Sequence, residues 1–142
     1  LTDIGAALGL SQLPKLEGFL KKRHKVVRWY QKELKDCEDI ILPTELRHVY
    51  SGWHLYIIRV KKPALRDPLV QFLKSHGIGA NFHYPAVYSH PYYRARGYKK
   101  TRLKNADHYH KTTITLPLYP SLSKQDVRYV ADTLKRGLRS LT

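Results

Sequence analysis

Apolar positions in the first quarter of the chain recur at helical spacing. Thr2 can cap a short helix over Asp3 to Leu10, with Asp3 in its positive first turn. Gly5 and Gly9 lie four apart in it, a spacing that suggests close packing. Pro14 suits the first turn of a second, longer helix, in which Leu13, Leu16, Leu20, Val27, Tyr30 and Leu34 line one face. The other face carries Lys15, Lys21, Lys22, Lys25 and Lys32. A helix of this length ahead of a small domain reads as a strut rather than a buried core element.

Past Asp36 the pattern becomes mixed. Ile40 to Leu42 is a short strand stopped by Pro43, and Trp53 to Lys61 is the strongest strand, β-branched and aromatic, ended by Pro63. Asp67-Pro68 supplies a cap and first position for a helix whose Leu69, Phe72 and Leu73 face inward and whose stop is Gly77. Ile78 to Tyr84 reads as a strand, Pro85 to Gly97 as a loop, and Asn105 to Lys111 as a short helix. Thr113 to Leu116 is a strand closed by Pro117 and Pro120. Ser123 followed by Asp126 resembles a capping box with Asp in place of Glu, and Val127, Val130, Ala131 and Leu134 then face inward until Gly137. The order predicts an α+β fold: an antiparallel sheet with helices, preceded by the long strut. The natural boundary puts the strut at 1–35 and the compact domain at 36–142.

Composition narrows the class. At 142 residues and 42% hydrophobic, the chain is one domain with enough apolar content for a core and too much for disorder. No apolar run approaches the roughly 18 residues a membrane span needs, and no signal peptide opens the chain, so no membrane partner is expected. The single cysteine, Cys37, excludes an internal disulfide framework and fits a reducing, cytoplasmic compartment. The absence of methionine suggests a piece of a longer product. Lys and Arg number 26 against 11 Asp and Glu, a net charge of +15, which points to a polyanionic or phosphate-bearing partner.

The basic residues cluster. Lys21-Lys22-Arg23-His24-Lys25 forms one run, and Arg94, Arg96, Lys99, Lys100, Arg102 and Lys104 crowd a stretch from Asp67 to Asp107 that has no acidic residue between its ends. Solvated faces, a phosphate-bearing small molecule and nucleic acid all fit such clusters. Tyr84, Tyr88, Tyr92, Tyr93 and Tyr98 could stack on bases, but no nucleic-acid recognition motif accompanies them, so no specific nucleic acid is expected. His83, His90, His108 and His110 lack further ligands for a metal, and none is expected. His54, heading a buried strand, reads as a structural histidine. Cys37 sits between Asp36 and Glu38, neighbours that raise a thiol pKa, so it is a poor nucleophile. No self-sufficient catalytic constellation emerges, and no catalytic residue is expected in this chain.

Several segments are specific as a set. Thr2 to Leu13 (TDIGAALGLSQL) closely resembles a segment of the DegT/StrS family of sugar aminotransferases, with Gly5 where that family usually has glutamine. Gly52-Trp53-His54-Leu55-Tyr56, Gly77-Ile78-Gly79, His83-Tyr84, His90-Pro91-Tyr92-Tyr93, Gly97-Tyr98 and Leu116 to Ser123 (LPLYPSLS) are similar to further family motifs in the same order. The form around the histidines and tyrosines looks most like the branch that aminates UDP-4-keto-6-deoxy-N-acetylhexosamines for surface sugars. One departure is Pro85, which directly follows His83-Tyr84 where the family often has its proline one residue later.

The resemblance implies a pyridoxal phosphate enzyme of aminotransferase fold type I, a homodimer acting on a nucleotide sugar with glutamate as amino donor. This chain would be its strut and small carboxy-terminal domain. The Schiff-base lysine would lie upstream, so neither His24-Lys25 nor His110-Lys111 is assigned that role, no cofactor is held covalently here, and the chain alone is expected to be inactive. The segment matching Asn81 to Tyr88 reaches the substrate entrance in the family. That makes His83 and Tyr84 the first substrate-binding candidates, then Tyr88 and Tyr93, with Asn81, Pro85 and Ala86 beside them. Two other readings stand: His83-Tyr84 merely ends a core strand, or the chain is a stand-alone basic module binding an anionic glycan or nucleic acid.

Overall fold

The computed structural model describes residues 2–98 and 101–141. Lys99 and Lys100, part of the second basic cluster, lie outside the described residues. Helix α1 (Asp3–Gln12) starts where the Thr2 hydroxyl accepts the Gly5 amide at 3.2 Å. A 3-10 turn over Leu13–Lys15 leads into α2 (Leu16–Leu34). Three strands follow, β1 (Ile40–Ile41), β2 (Tyr56–Val60) and β3 (Thr113–Leu116), antiparallel in the order β1-β2-β3. Ile40 stands opposite Val60, and Ile58 opposite Ile114. Between β2 and β3 come α3 (Arg66–Ser75), α4 (Pro91–Ala95) and α5 (Lys104–Thr112), and α6 (Lys124–Leu141) closes the fold.

Alternation along β2 buries Tyr56, Ile58 and Val60 in one core with Val26, Val27, Tyr30 and Leu34 of α2, Leu69, Val70 and Leu73 of α3, and Val127, Leu134 and Leu138 of α6. The Tyr30 and Tyr56 rings stack at 4.7 Å, and the Tyr30 hydroxyl donates to the Pro117 carbonyl at 2.9 Å. Helix α2 is therefore a strut only in part. Its second half is core, while Leu16 and Phe19 in its first half, and Leu13 in the turn before it, are exposed. Helix α1 buries nothing, and a Cβ on Gly9 would meet no atom within 4 Å, so the close packing suggested by its glycines is absent there.

Several boundaries differ from the sequence reading, each for a local reason. Strand β2 starts at Tyr56 because Trp53 turns the backbone at φ 43°, and the Trp53 and His54 carbonyls accept from Arg23 at 2.9 and 3.3 Å instead of pairing across the sheet. Helix α3 begins at Arg66, after a 3-10 turn over Pro63–Leu65. Pro68 is then its third residue, still within the first turn, whose amides need no intrahelical acceptor. Asp67 caps nothing and takes the Arg66 guanidinium at 2.7 Å. Gly77 stops α3 as expected, at φ 73°.

The strand expected over Ile78 to Tyr84 shrinks to one bridge, Asn81 opposite Thr115, because side-chain hydrogen bonds replace the ladder beyond it. The expected loop from Pro85 to Gly97 contains a 3-10 turn at Val87–Ser89 and helix α4, with Pro91 at its first position. The Ser123–Asp126 capping box forms as predicted. Helix α6 nevertheless runs through Gly137 to Leu141. A Cβ there would sit 2.7 Å from Leu69 Cδ1 and Phe72 Cδ1, so Gly137 lets α3 approach closely rather than ending the helix.

Candidate functional site

The segment after α3 is fastened to β3 at two residues. The Asn81 amide donates to the Thr115 carbonyl at 3.2 Å, and the Thr115 amide returns a bond of 2.8 Å. His83 Nδ1 lies 2.8 Å from Thr115 Oγ1. Asn81 Oδ1 accepts the Phe82 amide at 2.8 Å, which turns the chain away from the sheet. His83 is thereby half-buried and held, whereas Tyr84, joined to it by a cis peptide, is 69% exposed with its ring edge-on to the imidazole at 4.8 Å. His83-Tyr84 does not end a core strand: one residue is tied to the sheet and the next stands in solvent. Pro85 is exposed, and the Ala86 carbonyl accepts from the Ser89 hydroxyl at 2.6 Å to open the next turn.

Tyr88 and Tyr93 belong to a separate group. The Tyr88 hydroxyl donates to Asp107 Oδ1 at 2.7 Å, and that carboxylate raises the phenol above its ordinary pKa. Tyr93 packs edgewise against Tyr92 at 5.3 Å and Tyr98 at 6.1 Å. Two neighbouring cavities, of about 320 and 310 Å³, are lined by Tyr88, and one of them by Tyr93. Asn81, His83, Tyr84, Pro85 and Ala86 line neither, so the seven candidates fall into two sets.

Some polar residues do structural work that the sequence reading assigned elsewhere. Arg23, expected on a solvated face, binds the Trp53 carbonyl. The next residue, His24, donates from Nε2 to the Ser51 carbonyl at 2.9 Å and stacks on Tyr50 at 4.3 Å. His54, expected to be structural, is exposed, and it is His24 that holds this part of the backbone. Arg66 donates to the His110 carbonyl at 2.5 Å and covers the Phe82 ring at 4.2 Å, so it fastens α5 and the Asn81–His83 segment to α3. The signal for these roles is weak in sequence, because each partner is far away along the chain. Burial pushes the Cys37 thiol pKa up, and the nearby carboxylate that adds to the rise is Asp39 rather than Asp36 or Glu38. Among the described residues no group of three or more His, Cys, Asp or Glu side chains could hold a metal ion. No helix among them is long and apolar enough to cross a membrane.

Pyridoxal phosphate requires a lysine, a carboxylate for the ring nitrogen, and donors for a phosphate. Trp53 Nε1 is buried without a partner, but the cavity Trp53 helps to line contains no lysine. The cavity with Lys135 sets Asp36, Glu38 and Asp39 against two cations, a field that opposes a phosphate dianion. The cavity with Lys111 has one carboxylate, Asp107, already held by Tyr88. These residues do not fit the cofactor by themselves.

Comparison with known proteins places the whole chain. A family model described as the DegT/DnrJ/EryC1/StrS aminotransferase family matches residues 1–135. The spore coat polysaccharide biosynthesis protein SpsC of Bacillus subtilis is 36% identical over 138 residues, 94% of this chain and 36% of that protein. The putative sugar aminotransferase Spr1654 of Streptococcus pneumoniae, in its PLP form, superposes with a TM-score of 0.92 at 31% identity over 100% of this chain and 37% of its own. Helicobacter pylori PseC, an aminotransferase involved in the biosynthesis of pseudoaminic acid, superposes with a TM-score of 0.90 at 27% identity over 99% of this chain and 38% of its own. The chain thus spans little more than a third of the length of the relatives it matches.

Proposed function

This chain belongs to the DegT/DnrJ/EryC1/StrS aminotransferase family, and on that premise we propose that it is the carboxy-terminal part of a sugar aminotransferase. The whole protein moves an amino group from glutamate to a 4-keto-6-deoxy sugar carried on UDP, in the making of a surface polysaccharide or glycan. The observation that carries this reading is the superposition of the entire chain on a putative sugar aminotransferase with a TM-score of 0.92. The names of SpsC and PseC favour surface sugars as the product class.

In this reading residues 1–35 join the small domain, 36–142, to the rest of a cytoplasmic homodimer. The rest of the protein supplies the lysine and the other ligands of pyridoxal phosphate, which as an electron sink makes amino exchange possible. What this chain contributes is contact with the sugar. The Thr115 hydroxyl fixes the His83 ring, and the exposed Tyr84 hydroxyl beside it is free to donate to, or accept from, a sugar hydroxyl or carbonyl.

The test uses the complete protein with pyridoxal phosphate, glutamate and a UDP-4-keto-6-deoxy-N-acetylhexosamine. Mass spectrometry is expected to find the amino sugar nucleotide with equimolar 2-oxoglutarate, and the 142-residue chain alone is expected to give no turnover. Failure of the complete protein with every UDP-linked keto-sugar offered would overturn the substrate class, and turnover by the chain alone would overturn its dependence on the rest. Tyr84→Phe is expected to raise KM for the keto-sugar about tenfold, the worth of one hydrogen bond to a bound polar group, with the fold unchanged.

A further inference from the structure

His83 is tied to the sheet through one ring nitrogen, and its partner there decides where the ring carries its proton. Thr115, on β3, is 6% exposed. Its main chain is already paired: the amide donates to the Asn81 carbonyl at 2.8 Å, and the carbonyl accepts the Asn81 amide at 3.2 Å. Its hydroxyl has a single hydrogen-bond partner among the described residues, His83 Nδ1 at 2.8 Å. A neutral imidazole has one N–H and one ring lone pair, and a hydroxyl has one hydrogen to give. Were the proton on Nδ1, the hydroxyl would accept it, and the hydroxyl's own hydrogen would be left in a buried place without an acceptor. Leaving a buried donor unpaired is the costly way to make a hydrogen bond. With the hydroxyl donating into the Nδ1 lone pair, both groups are satisfied.

We infer that Thr115 is a positioning residue: its hydroxyl donates to His83 Nδ1, keeps the proton of the neutral ring on Nε2, and makes His83 a hydrogen-bond donor towards the ligand. Thr115 is too deeply buried to meet a ligand itself and acts through the imidazole. The ring is half-buried, and its Nε2 has no hydrogen bond among the described residues, so that N–H is the group left for a ligand. A ring held in this form has no lone pair facing outward. It selects an acceptor oxygen and cannot take up a proton at Nε2. Tyr84, exposed with its ring edge-on at 4.8 Å, differs in kind, because a phenol hydroxyl both donates and accepts. The inference rests on the sugar-contact reading above and adds to it the kind of atom that His83 selects.

The experiment is nitrogen NMR of the isotope-labelled 142-residue chain at about pH 8.5, roughly two units above the ordinary histidine value. A His83→Gln sample identifies the His83 signals among those of the eight histidines. The ring nitrogen that carries a hydrogen and the one that does not resonate far apart, so the spectrum reads the proton's position directly. His83 is expected in the Nε2–H form alone. Thr115→Ser should keep that form, and Thr115→Val, which preserves the branched shape and the strand pairing, should give a mixture of both. An Nδ1–H ring in the unsubstituted chain overturns the inference without any variant having to fold. A Thr115→Val spectrum that matches the unsubstituted one also overturns it. In the complete protein Thr115→Val is expected to raise KM for the keto-sugar about fivefold, with kcat changed less than about twofold, and Thr115→Ser to restore KM. A fall in kcat of about a hundredfold at constant KM would mark lost proton transfer and overturn the donor role. The two readings fail separately. The expected NMR forms with no turnover by the complete protein sink the aminotransferase and leave the proton assignment. Turnover with His83 in the Nδ1–H form sinks the assignment and leaves the aminotransferase.

Discussion

At Ser123 the hydroxyl donates to Asp126 Oδ2 at 2.6 Å, and the Asp126 amide donates back to Ser123 Oγ at 3.1 Å. The Ser123 hydroxyl, and after it the Ser123 amide, which donates to the same Oδ2 at 3.0 Å, hold the Asp126 carboxyl below its ordinary value of 3.8. A carboxyl with a depressed folded pKa contributes stability above its unfolded value and loses it as pH falls through the folded one. Ser123→Ala is therefore expected to cost about 1 kcal/mol near pH 7, in the range of a lost helix cap. The difference from the unsubstituted chain should shrink in urea titrations below pH 4, and a difference independent of pH would contradict the reciprocal cap. This residue pair was legible in sequence because its partners are three residues apart. The pairing of His83 with Thr115, 32 residues apart, was not, and neither was the Tyr88–Asp107 bond. The family resemblance singled out His83, Tyr84, Tyr88 and Tyr93, and their polar and aromatic chemistry agreed, but the division of those residues between a sheet-anchored segment and a tyrosine cluster depends on contacts from β3 and α5.

Among the elements, glycine separates local preference from packing. Gly18 in α2 has no atom within 4 Å of where a Cβ would lie, whereas at Gly137 in α6 that Cβ would press on Leu69 and Phe72 at 2.7 Å. Gly18→Ala is expected to stabilise the chain by up to about 1 kcal/mol through helix propensity alone. Gly137→Ala gains the same propensity but overpacks the α3–α6 contact, a cost of about 1–3 kcal/mol, so its net effect should be destabilising. Urea unfolding of the two variants should move the midpoint in opposite directions, and a stabilised Gly137→Ala would mean that the helices do not approach so closely. Helices announced by caps and periodicity were readable: α1, the start of α6, and the inward faces of α3 and α6. Helix α4 was hidden in a proline- and tyrosine-rich stretch with no apolar period, and the end of α6 was misread because Gly137 carries a turn signal that only the neighbouring α3 explains.

For the whole molecule, helix α1 and the turn after it are left without a partner among the described residues. Ile4, Leu8, Leu10 and Leu13 are each more than 60% exposed, a density of apolar surface that a helix alone in water does not tolerate well. Sedimentation velocity is expected to show concentration-dependent association of the 142-residue chain, and Leu10→Glu with Leu13→Glu should abolish it without lowering the melting temperature, since α1 contributes nothing to the core. A chain that stays monomeric at every concentration would contradict this. The sequence by itself determined the α+β class, the antiparallel pairing, the long helix before the sheet, the capping box and the family, because caps, periodicities and contiguous motifs act over a few residues and survive in a linear reading. Only the tertiary structure decided that the second half of the long helix α2 is core, that Arg23 and His24 hold the Ser51–His54 backbone rather than solvent, and that Tyr88 and Tyr98 line both an aromatic cavity and a basic one. The physical reason is the same in each case: a side chain's role is set by the hydrogen bonds and packing it finds, and here those partners lie tens of residues away along the chain.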